Sequence, residues 1–282
     1  MKRRLLFAAS VLAGVLSMGC SNLDERQREW IFQPSDRSWG STAEMAQDMQ
    51  DVWIPFRSQV TKSDVRLHGL WIDAEHRPEA APVLLYLHGA KWNVSGSAPR
   101  IRRMQDLGFS VLAIDYRGFG KSTPVLPSEE MAYEDARAAW EWLGQHYPDR
   151  PRYVFGHSLG GAIAIDLASR VGDEHGVIVE GTFTSIRDVA STFKWGWLPL
   201  GPLITQRFDS VKKVAKVGSP LLVVHGAEDS LIRSSLGHRL YEAATGRKQF
   251  VLVEGGSHHS TMSVGLAQYR EALSDFFRLQ NP

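Results

Sequence analysis

The chain has 282 residues, of which 43% are apolar and 22% are charged, and its formal net charge is +1. These proportions are ordinary for a globular protein, and the length suits one large α/β domain. A net charge this small provides no general attraction for nucleic acid or for an anionic bilayer, so we predict no nucleic-acid partner.

The first residues have the pattern of an export signal. Residues 2–4 are basic, residues 5–16 form an apolar run, and Gly19 and Cys20 follow. This pattern resembles a bacterial lipoprotein signal, in which residues 1–19 are removed and Cys20 receives a lipid such as palmitate. The resemblance implies a protein that is lipid-anchored in the bacterial cell envelope, in the outer or inner membrane with a periplasmic face. A plain secretory signal or a short membrane anchor is the alternative.

A polar segment and two short strands come next. Cys20 is the only cysteine of the chain, so an internal disulfide is excluded. Residues 20–50 are interpreted as a tether followed by a segment that packs on the edge of the domain. The patterns over residues 52–56 and 65–72 predict two edge strands.

Short continuous apolar runs dominate the remainder of the chain. They cover residues 83–87, 111–114, 153–155, 177–179, 221–224 and 250–253. Runs of this kind are typical of strands that are buried on both faces of a parallel sheet. Residues 51–282 are therefore predicted to form an α/β domain with a mostly parallel central sheet.

Helical patterns separate these runs. Ser128 is a suitable N-cap for a helix that extends past Leu143, and residues 159–171 and 266–279 have helical periodicity. The aromatic and proline-rich stretch between two of the strands is too long for a loop, so residues 182–217 are interpreted as a small helical cap insertion. The predicted sheet is thus flanked by helices and carries a cap.

The most informative motif is Gly-His-Ser-Leu-Gly-Gly at residues 156–161, between a predicted strand and a predicted helix. At so sharp a turn, the positions two before and two after the central residue must be almost free of side-chain atoms. Gly156 and Gly160 occupy these positions. The motif predicts a nucleophile elbow, with Ser158 exposed at a helix N-terminus where the Leu159 amide can bind a developing oxyanion.

A serine nucleophile needs a histidine base, and the histidine needs an acid that orients it. Both partners are expected at the carboxyl ends of later strands. Asp229 and His258 follow two such strands, and the order serine, aspartate, histidine is the order that this elbow implies. Glu228 and Glu180 remain alternatives for the acid, and His259 remains the alternative for the base.

A second oxyanion donor is predicted in the turn after the first buried strand. Gly89 lets the chain turn so that the amide of Ala90 can point towards Ser158. His88, His157 and His225, which also lie at strand ends, are expected to make structural hydrogen bonds.

The loop at residues 115–122 ends in Gly-Lys-Ser, as phosphate-binding loops do, but Asp115 replaces the first glycine of that motif. A carboxylate is unsuited to a phosphate cradle, so we predict no nucleotide site there. Asp115 and Arg117 are instead available for an ion pair. Because the chain also lacks a His-Glu-x-x-His pair and cysteine ligands, we predict no metal and no cofactor.

Together these motifs resemble the α/β-hydrolase superfamily from about residue 52 to the C-terminus. The elbow, the His-Gly turn and residues 115–122, 180–185 and 225–229 are similar to its serine-aminopeptidase-like branch, which includes membrane-associated esterases and depalmitoylase-like thioesterases. Two departures affect the acyl pocket. Where the branch often has Asn and Gly after His-Gly, this chain has residues 90–92, Ala-Lys-Trp, and it has His-Ser in place of Asn-Asp after His258.

The resemblance implies a serine hydrolase that cleaves a carboxylic ester or thioester through an acyl-enzyme on Ser158. Its expected substrate is a small molecule or a lipid-like ester. A serine peptidase of the same fold would use the same residues and is the first alternative. A non-catalytic envelope binding protein is the second.

Overall fold

The computed structural model describes residues 22–34, 42, 44–91, 93–193 and 201–279. Within these residues, eight strands pair into one sheet. In chain order they are β1 (Gln50–Arg57), β2 (Asp64–Ile72), β3 (Val83–Leu87), β4 (Ser110–Ile114), β5 (Arg152–His157), β6 (Gly176–Glu180), β7 (Leu221–Gly226) and β8 (Lys248–Val253). Their spatial order is β1-β2-β4-β3-β5-β6-β7-β8. β3 to β8 are parallel, whereas β2 is antiparallel to both of its neighbours.

Helices cover both faces of the sheet. In the described part of the chain they are α1 (residues 22–32), α2 (Ala98–Asp106), α3 (Glu129–His146), α4 (Leu159–Ala168), α5 (Ile186–Ser191), α6 (Ser210–Lys213), α7 (Ser234–Ala243), α8 (Thr261–Val264) and α9 (Leu266–Glu271). A π-helical turn, Ala272–Phe276, follows α9. None of these helices has the length and hydropathy that crossing a membrane requires.

Alternate residues of the parallel strands face two different cores. In β3, the side chains of Val83, Leu85 and Leu87 pack on one face with α3, α4 and α7, whereas Leu84 and Tyr86 pack on the other face with α2 and α9. All five residues are at most 1% exposed. Burial on both faces explains why these strands are continuous apolar runs in the sequence. The predicted fold class, a mostly parallel sheet flanked by helices, is confirmed.

Two predicted elements differ from the structure. The prediction that β2 is an edge strand is wrong, because β2 pairs with β1 on one side and with β4 on the other. The helix predicted over residues 266–279 is interrupted by the π turn. Phe276 is buried, and the ring of Phe277 lies edge-on to Tyr153 with 5.6 Å between the centroids. Both phenylalanines therefore pack in the core on the face of the sheet that α2 and α9 cover.

The N-terminal segment contains α1, a helix that the polar residues 20–50 did not predict. Phe32 at its end is fully buried, and its ring lies edge-on to Phe119 and Phe208. The Phe32 carbonyl also accepts the backbone amide hydrogen of Lys91 at 2.9 Å. These contacts make α1 part of the folded domain.

The region predicted to be a cap contains α5, the 3₁₀ turn Gly201–Leu203 and α6. We refer to the described residues 182–193 and 201–217 as the cap. The predicted signal peptide, Cys20, Trp92 and residues 194–200 lie outside the described residues.

Arg117 is a fully buried cation in the loop after β4, and it joins this loop to α3 and to the segment that follows β1. Its guanidinium donates to Asp135 at 2.8 Å and to Glu134 at 2.7 Å, both on α3, and to the Ser58 hydroxyl at 2.9 Å, beyond β1. The expected ion pair of Arg117 with Asp115 is therefore not the one that forms. Asp115 instead accepts the backbone amide hydrogen of Val94 at 2.6 Å.

Replacing Arg117 with methionine removes one side of a buried charge network and leaves two carboxylates without their cation. We expect Arg117→Met to lower the free energy of unfolding by about 3–5 kcal/mol, measured by urea denaturation. The control is Arg137→Met, because Arg137 is half-exposed and lies 3.9 Å from Glu141 one helical turn away. That change is expected to stay within roughly 0.5 kcal/mol of the wild type. Equal stability of the two variants would contradict the assigned role of Arg117.

Candidate active site

The carboxyl ends of the parallel strands meet at one edge of the sheet. The strand register sets Leu87 of β3 opposite Gly156 of β5, and His157 of β5 opposite Glu180 of β6. Glu180 in turn lies opposite Val224 of β7. The segments that leave these strands therefore begin side by side, and they carry the residues predicted from the sequence.

Ser158 occupies the turn between β5 and α4, with φ 55° and ψ −119°. A positive φ is strained for a residue with a side chain, and the surrounding backbone enforces it. A Cβ on Gly156 would collide with the Gly160 carbonyl oxygen, and a Cβ on Gly160 would collide with the Leu87 carbonyl oxygen. The Ser158 amide donates to the Glu180 carbonyl at 2.9 Å, which holds the turn against β6. The structure thus has the strand-turn-helix geometry that the motif predicts.

Ser158, His258 and Asp229 form a continuous chain of hydrogen bonds. Ser158 Oγ lies 3.1 Å from His258 Nε2, and His258 Nδ1 lies 2.8 Å from Asp229 Oδ2. When the ring is neutral, Nδ1 donates its hydrogen to the carboxylate, so Nε2 has a lone pair that can accept the serine proton. The histidine that reaches Ser158 is His258 rather than His259.

The Asp229 carboxylate is held by several donors. Its Oδ1 accepts the backbone amide hydrogens of Leu231 at 3.0 Å and Ile232 at 2.8 Å. Burial alone raises the pKa of Asp229, but hydrogen bonds from His225 and His258 outweigh it and hold the pKa below its usual range. Asp229 is therefore ionised at neutral pH and can stabilise a positive charge on His258.

The two alternative carboxylates lie elsewhere. Glu228 is exposed, whereas Asp229 beside it is buried. The side chain of Glu180 is buried and accepts hydrogen bonds from Arg100 at 3.2 Å and from the Tyr269 hydroxyl at 2.6 Å. The structure therefore brings Asp229, and not these two residues, to the His258 ring.

Arg100 fixes the backbone of the His258 loop. Its Nη2 donates to the His259 carbonyl at 3.0 Å and, at 3.4 Å, to the His258 carbonyl, while Nε binds Glu180. His157 Nε2 donates to the same His258 carbonyl at 3.0 Å. Burial, and then the charge of Arg100, lowers the pKa of His157 well below its usual value, so the ring stays neutral. No local pattern marks Arg100 in the sequence, because its partners come from distant parts of the chain.

The two predicted oxyanion donors flank the nucleophile. Leu159 is the first residue of α4, so its amide has no acceptor within the helix. On the other side, a Cβ on Gly89 would lie 3.2 Å from the Cβ of Ser158, which sets the turn that carries Ala90 directly against the serine. Both amides therefore belong to segments in contact with Ser158.

Other histidines at the strand ends make hydrogen bonds within the protein, as predicted. His225 Nε2 donates to the Ile232 carbonyl at 2.8 Å, and His88 Nδ1 donates to the Gly89 carbonyl at 2.7 Å. Across the residues that the structure describes, no three His, Cys, Asp or Glu side chains are grouped as a metal site would require.

Similarity to known proteins extends over most of the chain. A family model described as serine aminopeptidase, S33, matches residues 78–207. An uncharacterized protein of Mycobacterium tuberculosis is 33% identical over 258 residues, which are 91% of this chain and 89% of that protein. The chain belongs to the α/β-hydrolase superfamily.

Two further comparisons are with a lipase, by sequence, and with an esterase, by fold. Lysophosphatidylserine lipase ABHD12 of Danio rerio is 29% identical over 250 residues, which are 76% of this chain and 65% of that protein. An esterase of Pyrococcus furiosus has a similar fold, with a TM-score of 0.67 and 20% identity, over 87% of this chain and 97% of its own. The family and its lipase relatives support a hydrolase activity.

Replacing Arg100 tests whether it positions the His258 loop. We expect Arg100→Met to lower kcat for a short ester by about 10²-fold, because small displacements of a catalytic group have effects of this size, with a smaller change in KM. Arg100→Lys keeps a cation beside Glu180 but lacks the planar fork that reaches two carbonyls, so it should regain stability and only part of kcat.

The matched control for these variants is Arg103→Met on the same helix. Arg103 Nη1 donates to the Pro99 carbonyl one turn earlier, at 3.3 Å. Its replacement should leave both kinetic constants near the wild-type values. A similar loss of kcat in Arg103→Met would assign the effect to helix α2 as a whole.

Proposed function

We propose that the protein is a serine hydrolase that cleaves a carboxylic ester or thioester through an acyl-enzyme on Ser158. The observation that carries this proposal is the hydrogen-bonded chain from Ser158 through His258 to Asp229, with Ser158 Oγ and His258 Nε2 3.1 Å apart. A serine hydroxyl becomes nucleophilic when a neighbouring base takes its proton, and the buried carboxylate orients that base.

In the first half of the reaction, Ser158 Oγ attacks the carbonyl carbon while its proton moves to His258 Nε2. The carbonyl oxygen becomes an oxyanion, which the amides of Ala90 and Leu159 bind. The bond to the leaving oxygen or sulfur then breaks, and His258 returns the proton to the departing alcohol or thiol. The acyl group remains on Ser158.

In the second half, water replaces the alcohol or thiol. His258 takes a proton from the water, whose oxygen attacks the acyl carbon and forms a second oxyanion in the same position. The bond to Ser158 Oγ breaks, and the proton passes from His258 to the serine. Asp229 stays ionised throughout and balances the transient charge of the imidazolium ring.

Removing the nucleophile tests the proposal directly. Ser158→Ala should lower kcat for a short activated ester by about 10⁴-fold or more while the protein stays folded. His258→Ala should match this loss, whereas His259→Ala should be milder. Covalent labelling by a fluorophosphonate probe should disappear in Ser158→Ala. Wild-type turnover in that variant would reject the proposal, and a larger loss in His259→Ala than in His258→Ala would move the base to His259.

A serine peptidase is the second candidate, favoured by the description of the matching family as serine aminopeptidase. It would use Ser158, His258 and Asp229 in the same roles. A panel of an ester, a thioester and an amino-terminal peptide with the wild-type enzyme separates the candidates. A higher kcat/KM for the peptide than for both esters would favour the peptidase.

We also propose that residues 1–19 are a lipoprotein signal and that a lipid on Cys20 anchors the mature enzyme in the bacterial cell envelope. The support is the basic start, the apolar run and the Gly19-Cys20 junction. An anchor of this kind would bring the enzyme close to lipid esters.

Changing the proposed attachment residue tests the anchor. Cys20→Ser removes the thiol that would carry the lipid, so metabolic labelling with a fatty-acid analogue should be lost. The membrane fraction should be depleted of the enzyme as well. Ser21→Ala serves as the control, because it alters the neighbouring residue and keeps the thiol. Labelling of Cys20→Ser at the wild-type level would contradict the proposal.

A further inference from the structure

A groove of about 360 Å³ lies between α1 and the cap. The residues that line it include Leu23, Trp30 and Ile31 from α1 and Ile186, Ala190 and Leu203 from the cap. Its volume is in the range of roughly 300–1,000 Å³ that is usual for pockets that bury a small ligand. The groove is separate from the residues that form the hydrogen-bonded chain to Ser158.

The lining of the groove favours an apolar ligand. Apart from the Trp30 indole, Gln27 is the only polar side chain among its described lining residues. The Gln27 side chain donates to the Leu203 carbonyl at 2.7 Å and accepts the Thr205 amide hydrogen at 2.9 Å. A peptide group placed in the groove would therefore lack hydrogen-bond partners, whereas a hydrocarbon chain needs none.

The walls of the groove are joined to each other. Besides the two bonds of Gln27, the Gln206 side chain donates to Asp24 on α1 at 2.8 Å. These bonds join α1 to the cap at Asp24 and at Gln27, which lie about one helical turn apart. The groove is thus preformed, which reduces the entropy lost when a ligand binds.

One wall begins beside the predicted oxyanion turn. Ile31 lines the groove, and the next residue, Phe32, accepts the Lys91 amide hydrogen at 2.9 Å. Lys91 directly follows Ala90. The end of α1 therefore connects the groove to the turn that lies against Ser158.

The other wall begins on the opposite side of the nucleophile. The Thr182 hydroxyl donates to the Ser158 carbonyl at 2.9 Å. The chain continues from there into α5, where Ile186 and Ala190 line the groove. Both walls are thus continuous along the chain with segments that contact Ser158.

Apolar side chains are exposed at the rim of the groove. Trp30 is 61% exposed, Leu203 53% and Phe193 44%. A contiguous group of exposed apolar residues marks an interaction site more often than a single one does. A hydrocarbon chain in the groove would cover part of this surface.

We propose that the groove between α1 and the cap binds the acyl chain of the ester that Ser158 cleaves, so that the substrate is an ester of a medium or long fatty acid. This inference rests on the proposed function. The acyl chain can belong to a soluble ester or to a lipid of a bilayer. Cys20 precedes Asn22, the first described residue of α1, by two positions, which span at most roughly 7 Å of chain, so a lipid anchor would bring a bilayer close to Leu23.

The first experiment measures kcat/KM for p-nitrophenyl esters from acetate to dodecanoate. In the wild type, each methylene that the groove buries should raise kcat/KM by up to about fourfold. Ala190→Trp fills the groove and should lower the ratio of the dodecanoate to the acetate value at least tenfold. The matched control is Ser191→Trp, because Ser191 is exposed on the same helix and does not line the groove. Its ratio should equal that of the wild type.

A binding measurement tests the groove without catalysis. The Ser158→Ala enzyme is titrated with a dansyl-labelled undecanoic acid, followed by fluorescence. Adding Ala190→Trp should raise Kd at least tenfold, and adding Ser191→Trp should not change it. An equal Kd in all three proteins would overturn the proposal and leave the groove to another apolar occupant, such as a second copy of the chain.

The two experiments separate the possible failures. Suppose that the wild type cleaves no ester, but that the probe binds and its binding is lost with Ala190→Trp. The proposed function then fails, while the groove still binds an acyl chain. If the wild type and Ala190→Trp show the same chain-length profile, the groove proposal fails while ester hydrolysis stands.

A third experiment identifies the kind of lipid that supplies the acyl chain. The enzyme is given a monomeric lysophospholipid in solution or a diacyl phospholipid in vesicles. A loss of hydrolysis in Ala190→Trp, relative to Ser191→Trp, supports the groove in either case, and the presentation that the wild type hydrolyses faster is the source. Equal rates for both variants in both presentations would overturn the proposal.

Discussion

The arrangement of the site depends on the close crossing of α4 over the end of β5. Gly156 and Gly160 leave no room for side-chain atoms where the two backbones meet, so a methyl group at either position would displace a carbonyl oxygen. This contact forces Ser158 into its strained conformation and directs its hydroxyl away from the sheet. Because β3 and β6 flank β5, the same crossing also determines where the oxyanion turn and the β6 loop can lie.

A second group of contacts holds the residues that meet Ser158. The His258 ring lies between a carboxylate and a hydroxyl, while its backbone carbonyl accepts hydrogen bonds from Arg100 and His157. Neither donor touches the reacting atoms. His157 is buried and the Arg100 side chain is only 16% exposed, and both limit the movement of a loop that has no regular secondary structure around His258. Catalytic geometry of this kind requires such support, because a ring that rotates freely would lose its hydrogen bond to Ser158.

Local sequence patterns predicted much of this molecule. Buried strands such as β3 are continuous apolar runs, and the Gly-flanked serine specifies its own turn, so both could be read from neighbouring residues. The contacts that need distant partners could not. β2 has the alternation of an edge strand, yet its second neighbour, β4, comes only after β3 and α2 in the chain. Arg100 and α1 carry no local signal either, since their roles arise only when remote segments fold against them.

The position of α1 changes what an N-terminal lipid would mean for the enzyme. Phe32 joins α1 to the core and to the segment that follows Ala90, and Gln27 joins it to the cap. An enzyme on a long flexible linker would approach a surface in many orientations. With a lipid on Cys20, as proposed, only Ser21 separates the anchor from α1, the helix that forms one wall of the proposed acyl groove. Attachment would then restrict the orientation of the catalytic face and its height above the bilayer, and so select which lipid carbonyls come within reach.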